Sequence, residues 1–190
     1  TYGLTLRCLI AGRPPVTNMY ESVIWVTWGA VLFSLVIAWT NRSVIVPSAA
    51  VVFAIVGLVL ADSLPLALDP AIHPLVPVLR SNYWLTIHVL TITLSYAAFA
   101  VSLCMGNVNL GFYLLKPSAS DTIQQNTVYM YRAMQIGVVL LAAGTILGGI
   151  WADYSWGRFW GWDPKEVWAL VALLLYIAVL HGRFTGWLRG

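Results

Sequence analysis

Long stretches without a charged side chain dominate this sequence. Ser22–Asn41 runs for twenty residues, Ser43–Ala61 for nineteen, Ser81–Leu115 for thirty-five, Ala133–Ala152 for twenty and Val167–Gly182 for sixteen. A helix needs about 20 mostly apolar residues to cross about 30 Å of hydrocarbon, and within lipid the backbone must satisfy its own hydrogen bonds. The runs therefore predict an all-α fold, a polytopic integral membrane bundle of about five transmembrane helices, with the sixteen-residue run as the weakest span. Composition agrees, at 60% hydrophobic and 9% charged, against about a quarter charged in soluble domains. The net charge is only +3, with Lys and Arg scattered singly, so the bilayer is the expected partner and nucleic acid is not. No linker or repeat divides the chain, which reads as one membrane domain over residues 1–190. It starts at Thr1 and closes on Trp187-Leu188-Arg189-Gly190, which reads as part of a longer protein.

Three helix starts carry capping signals. Asn18 precedes Glu21 by three, Asp121 precedes Gln124 by three, and Asp163-Pro164-Lys165-Glu166 combines an N-cap aspartate, an N1 proline and an N3 glutamate. The last of these starts a helix at Pro164, giving about 26 Å to His181 at 1.5 Å per residue. Gly144 and Gly148 form a G-x-x-x-G pair that lets a neighbouring helix approach closely. By alternation, the segments Asp62–Arg80 and Ala152–Asp163 share one membrane face, and the Asn41–Arg42 turn, the Lys116–Thr127 loop and the C-terminus share the other. Basic residues divide five to five between the faces, so charge counting leaves orientation open. Cys8 and Cys104 form no C-x-x-C, which argues against dithiol redox chemistry and a covalently bound c-type haem on this chain.

Half of the ten tryptophans fall between Trp151 and Trp168, in WADYSWGRFWGWDPKEVW, with Gly157 and Gly161 interleaved. This stretch is expected as a loop at the membrane face. An aromatic belt accounts for one or two tryptophans per loop; five with glycines and a defined helix cap point instead to a large, flat, apolar ligand with a polar edge. Free N–H groups over Pro164–Val167, with Arg158 and Lys165 beside them, are expected to seat an anionic edge such as a carboxylate.

Ionisable side chains inside spans are functional candidates. His88 lies about 9 Å along its helix from the tryptophan face, whereas His181 lies near the opposite face. They cannot share one iron and mark two depths. The alternative for His88 is a hydrogen bond to Ser95 or Thr91 within the bundle; for His181 it is a headgroup-zone residue at a helix end. His73, between two prolines, reads as a loop residue. Haem meets these demands better than a quinone or a lipid head, being flat and apolar with two carboxylates and an iron that accepts a neutral imidazole.

The run Trp156-Gly157-Arg158-Phe159-Trp160-Gly161-Trp162-Asp163-Pro164-Lys165-Glu166-Val167-Trp168 resembles the tryptophan-rich WWD signature of the haem-handling proteins of cytochrome c maturation, a family that includes CcmC and CcmF. The chain is most similar to the CcsA (ResC) members, the larger subunit of the system II cytochrome c synthase. Supporting matches are Pro15–Ser22, Trp84–Val89 with Ser95–Phe99, and His181-Gly182-Arg183, so the resemblance covers roughly Arg13 to Trp187.

That resemblance implies haem handling. Haem b, as transported substrate, passes through a site in the membrane and is presented at the WWD loop for thioether attachment to an apocytochrome C-x-x-C-H motif. It implies that Trp156, Trp160 and Trp162 cradle the ring and that Asp163 fixes the loop. His88 would ligate iron as the first flanking histidine, and His181 would belong to the separate membrane site. No residue is assigned as catalytic; the chain would be a subunit of the synthase (haem lyase), incomplete as an enzyme alone. The second flanking histidine is expected after Gly190, and the partner of His181 upstream or in a CcsB (ResB) subunit or fused domain. The resemblance also implies a multi-pass protein of the bacterial inner membrane, or its thylakoid equivalent, with the WWD loop periplasmic. Competing readings are a b-type haem electron-transfer or quinone-reactive membrane subunit, which needs two histidines at one depth, and a haem-free transporter or scaffold.

Overall fold

The computed structural model describes residues 1–74 and 82–188, apart from the side chains of Asn41, Asn82 and Leu85. Arg80, Ser81 and Arg189, named above, lie outside the described residues. Among the described residues six helices follow in order: α1 (Tyr2–Ala11), α2 (Met19–Asn41), α3 (Ile45–Ser63), α4 (Asn82–Leu115), α5 (Ser120–Trp156) and α6 (Pro164–Phe184). Five of them, α2 to α6, are long and apolar enough to cross a membrane. The protein is a polytopic membrane helix bundle.

The spans match the uncharged runs, but several ends differ. Helix α5 starts at Ser120 rather than near Ala133, so the loop before it shrinks to residues 116–119. Charge breaks the apolar run at Arg132, yet a helix leaving lipid can continue through polar residues. At 1.5 Å per residue, α4 and α5 exceed the hydrocarbon thickness by roughly 20 Å or more; the polar first turns of α5 carry its excess. Ala119 is the N-cap of α5 and makes no side-chain cap; Asp121 lies inside the first turn, so the Asp121–Gln124 spacing is not a cap. The N-terminal apolar piece is itself a helix, α1, closed by Gly12 in the left-handed conformation.

Helix α2 starts as expected, with the Asn18 side chain accepting from Glu21 N at 2.8 Å. The Glu21 carboxylate does not close a box on Asn18. It accepts from Thr17 N (2.8 Å) and Thr17 Oγ1 (2.7 Å), and Arg7 Nε donates to it at 2.7 Å. At 1% exposed, Glu21 is a buried charge that needs this complete set of donors, and the ion pair ties α1 to α2.

Helices α4 and α5 form an antiparallel hairpin with the largest shared interface, while α2 packs on α3 and α4. A core of Ala30, Val46, Ala100, Val101, Met105, Tyr129 and Ala133 joins α2 to α5. Small residues allow these approaches: a Cβ on Gly57 would strike Thr27, and one on Gly144 would meet Ile92 Cα and Cβ at 3.0 Å. Helix α6 stands apart. It touches α5 along a thin seam and meets α4 through Phe99 and Tyr176, whose rings stack with centroids 4.0 Å apart.

Candidate functional site

Only residues 157–163 of the tryptophan-rich stretch form a loop. Trp151 and Trp156 belong to α5, and Trp168 to α6. The helix ends are built locally. Gly157, at φ 71°, closes α5 by donating its N–H to Asp153 O at 2.8 Å. Asp163 accepts from Lys165 N (2.8 Å) and Glu166 N (3.1 Å), while Glu166 Oε2 accepts from Gly161 N (2.7 Å) and Asp163 N (3.3 Å). This is a complete capping box.

The cap changes the electrostatics expected there. Proline has no N–H, Asp163 takes those of Lys165 and Glu166, and Val167 N donates to Asp163 O at 3.0 Å. The helix end therefore has no free N–H group for a ligand; its own carboxylates occupy the positive end of the dipole. Arg158 is turned inward as well. Its guanidinium lies 3.8 Å from Glu166 Oε1, 5.7 Å from the Trp156 ring centroid, and against Gly161, where any Cβ would collide with it. An anionic edge in this cavity would meet the Lys165 side chain, which lines it.

Above the α4–α5–α6 seam opens a cavity of about 680 Å³, inside the roughly 300–1,000 Å³ range of small-molecule sites. Helix α4 contributes His88, Ile92 and Tyr96; α5 contributes Leu141, Thr145, Gly148, Gly149, Trp151, Ala152 and Trp156; the loop and α6 contribute Trp160, Asp163 and the turns from Pro164 to Ala172. The walls are mainly apolar, with ionisable groups at the loop end. One helical turn deeper than Tyr96, Leu141 and Ala172 lie Phe99, Gly137 and Tyr176. Outside that lining the Phe99 and Tyr176 rings stack, and Gly137 leaves the room that the Phe99 ring fills.

His88 lines this cavity. Its Nδ1 donates to Gly144 O at 2.8 Å, since a carbonyl can only accept. Its ring lies parallel to Trp151, at 6.5 Å and 4°. The hydroxyls weighed as partners are engaged elsewhere: Thr91 Oγ1 donates to Ile87 O and Ser95 Oγ to Ile92 O. Around the histidine the tryptophans meet edge to face, Trp151 with Trp156 at 4.7 Å. Phe159 docks on Gly149, where a Cβ would meet its ring at 2.6 Å, and so anchors the loop to α5.

The expected site residues divide into three groups. His88, Trp156, Trp160 and Asp163 gather on the cavity. Trp162 stands at its outer edge, outside the lining; it is 69% exposed, with its ring edge-on to Trp160 at 5.9 Å. His181 lies outside the lining, beyond Tyr176 in the last turn of α6, exposed, its Nδ1 donating to Ile177 O at 3.0 Å. The two histidines do not share a site. Trp151, Gly148 and the stacked pair Phe99 and Tyr176 were not singled out from sequence as site residues. A sequence signal existed for Trp151, inside the tryptophan cluster, for Gly148, in the G-x-x-x-G pair, and for Phe99, at the end of the Ser95–Phe99 match; Tyr176 carried none.

A family model for "Cytochrome C assembly protein" matches residues 16–189. The chain is similar to Protein NrfI of Wolinella succinogenes, 37% identical over 187 residues, covering 96% of this chain and 20% of that protein. It is also similar to the cytochrome c biogenesis protein CcsA of Prochlorococcus marinus strain MIT 9303, 34% identical over 98% of this chain and 69% of the relative. CcsA of Synechococcus sp. strain RCC307 is again 34% identical, over 98% and 70%. The chain thus spans about a fifth of NrfI and about seven tenths of the CcsA proteins. No solved structure matches it.

Proposed function

The chain belongs to the cytochrome c assembly protein family, and we propose that within it this chain acts as a CcsA-type haem-presenting subunit in c-type cytochrome biogenesis. Haem b is its transported substrate. The single observation that carries the reading is His88. It lies on a cavity walled by Trp151, Trp156, Trp160 and Trp168, with Nδ1–H held by the Gly144 carbonyl. That hydrogen bond leaves Nε2 with its lone pair, the form of imidazole that ligates iron.

The cavity suits the substrate. Its aromatic and aliphatic walls take a flat apolar ring, and Lys165 at the loop end can meet a carboxylate edge. Trp162, exposed just outside, extends the aromatic surface toward solvent. Presentation there lets the two thiols of an apocytochrome C-x-x-C-H motif add across the haem vinyl groups, each forming one carbon–sulfur bond while the thiol hydrogen passes to the other vinyl carbon. His181, beyond the Phe99–Tyr176 stack along α6, marks the separate inner station. On this reading the WWD loop faces the periplasm of a bacterial inner membrane, and a CcsB-type subunit or domain completes the synthase.

The test is His88→Ala in the full-length protein. Covalent c-type cytochrome should vanish from haem-stained membranes while the variant still inserts at normal level. Normal cytochrome maturation in that variant would remove His88 from the site. A b-type electron carrier would instead show a stable low-spin spectrum that cycles with quinol.

A further inference from the structure

We infer that the α5 face Gly144–Gly148–Trp151 is the seat that fixes the tautomer and direction of the His88 ring, making Gly148 and Trp151 positioning residues for iron ligation. The inference rests on the proposed role of His88 and concerns residues that no sequence resemblance assigned.

Three contacts define the seat. Gly144 O accepts from His88 Nδ1 at 2.8 Å. Gly148, one turn on, has the imidazole lying across its Cα; a Cβ there would come within 2.6 Å of Cε1 and 2.9 Å of Nδ1. Trp151, a further turn on, lies parallel to the imidazole, within 4°. Together they bound the ring by its hydrogen-bonding edge and its surroundings on α5. The same pair of glycines brings α4 close enough for this, because Gly144 also lies against the Ile92 backbone, 3.0 Å from Ile92 Cα to a built Cβ.

The chemistry follows from the donor set. A carbonyl accepts only, so Nδ1 carries the hydrogen and Nε2 carries the lone pair. An imidazole free to rotate would divide between tautomers and directions; one seated this way presents a single nitrogen. Holding the second ring nitrogen by an outer hydrogen bond is how ligating histidines are oriented, and losing such a partner typically costs 10–100-fold in metal affinity. The G-x-x-x-G pair therefore does more than close a helix–helix contact.

Solid-state NMR on full-length, haem-free protein in lipid reads the tautomer without reference to haem or activity. The His88 signal is identified by its loss in His88→Ala. The neutral Nδ1–H form is expected in the wild type, and a mixture in Gly148→Ala. Haem titration of the same samples should show binding weakened about tenfold or more in Gly148→Ala. Trp151→Leu, which keeps Gly144 and Gly148 in place, should weaken it several-fold, with Trp151→Phe restoring most of the loss. An Nε2–H tautomer in the wild type, or Gly148→Ala and Trp151→Leu both indistinguishable from it, would overturn the seat. If the tautomer behaves as stated but no variant, His88→Ala included, alters haem binding, the seat stands and the ligation reading falls.

Discussion

Asp69 carries one of the smallest devices in the molecule. Ala71 N donates to its Oδ1 and His73 Nε2 to its Oδ2, each at 2.8 Å. Those two bonds, the backbone one first, hold its carboxyl below the usual aspartate range. Around it, Arg7 Nη2 donates to Ala71 O, Arg13 Nη2 to His73 O, and Asn18 Nδ2 to Asp69 O, so loop residues 69–73 are strapped to α1 and the start of α2. A carboxyl whose pKa is lowered by folding contributes stability above its unfolded value, lost as pH falls through the folded one. The strap should therefore hold at neutral pH and loosen only below about 3.9, the ordinary aspartate value. A carboxyl-carbon NMR titration of Asp69 checks this; a midpoint at or above that value would refute it. Asp69 and His73 are neighbours in sequence, yet only the fold supplies the arginines. Trp162 is another case. Its φ of 57° places an aromatic residue in the left-handed region, a strained conformation that costs of order 1–3 kcal/mol and gathers at functional sites. No residue pattern announces that angle.

Elements were legible where their causes are local. The cap at Asp163 can be read from four residues because the side chain and the N–H groups it binds lie within one turn. Asp163→Ala should destabilise the protein by about 1 kcal/mol and loosen the 157–163 loop, since the Lys165 and Glu166 N–H groups would lose their acceptor; thermal unfolding in detergent measures the first. An unchanged midpoint would mean that the Glu166 carboxylate on Gly161 N and Asp163 N, with Phe159 on Gly149, holds the loop without the cap. The apolar run alone placed the start of α5 too late, because hydropathy marks where lipid ends, not where a helix does; the Asp121–Gln124 spacing lay beside the true start although Ala119 takes the cap position. The partner of Glu21 was not legible: Arg7 sits fourteen residues earlier on a different helix. The expectation of free N–H groups at α6 failed for an instructive reason. A capping box satisfies the very donors that would otherwise recruit an anion.

At the scale of the whole molecule, α4 and α5 make a rigid pair and α6 leans on them lightly. Its attachment at mid-length is the Phe99–Tyr176 stack, seated on Gly137. Aromatic pairs contribute about 0.5–1.5 kcal/mol beyond the area they bury. A double-mutant cycle with Phe99→Leu and Tyr176→Leu should show coupling of about that size in thermal unfolding. Strictly additive effects would show that α6 docks by other contacts. The exposed sides of α3 and α6, with Val51, Ile55, Val59, Leu174 and Leu175 among their outward residues, are apolar as a lipid-facing surface must be.

Residue order alone determined the number of spans, the caps of α2 and α6, and the concentration of aromatic rings at the α5–α6 connection. Each depends on hydropathy or on contacts within a turn or two. Tertiary packing decided that His88 Nδ1 meets Gly144, fifty-six positions away, that Trp151 rather than Trp162 flanks it, and that Phe99 of α4 stacks on Tyr176 of α6. Those outcomes depend on how closely and at what rotation helices approach, which small residues permit but no local pattern specifies.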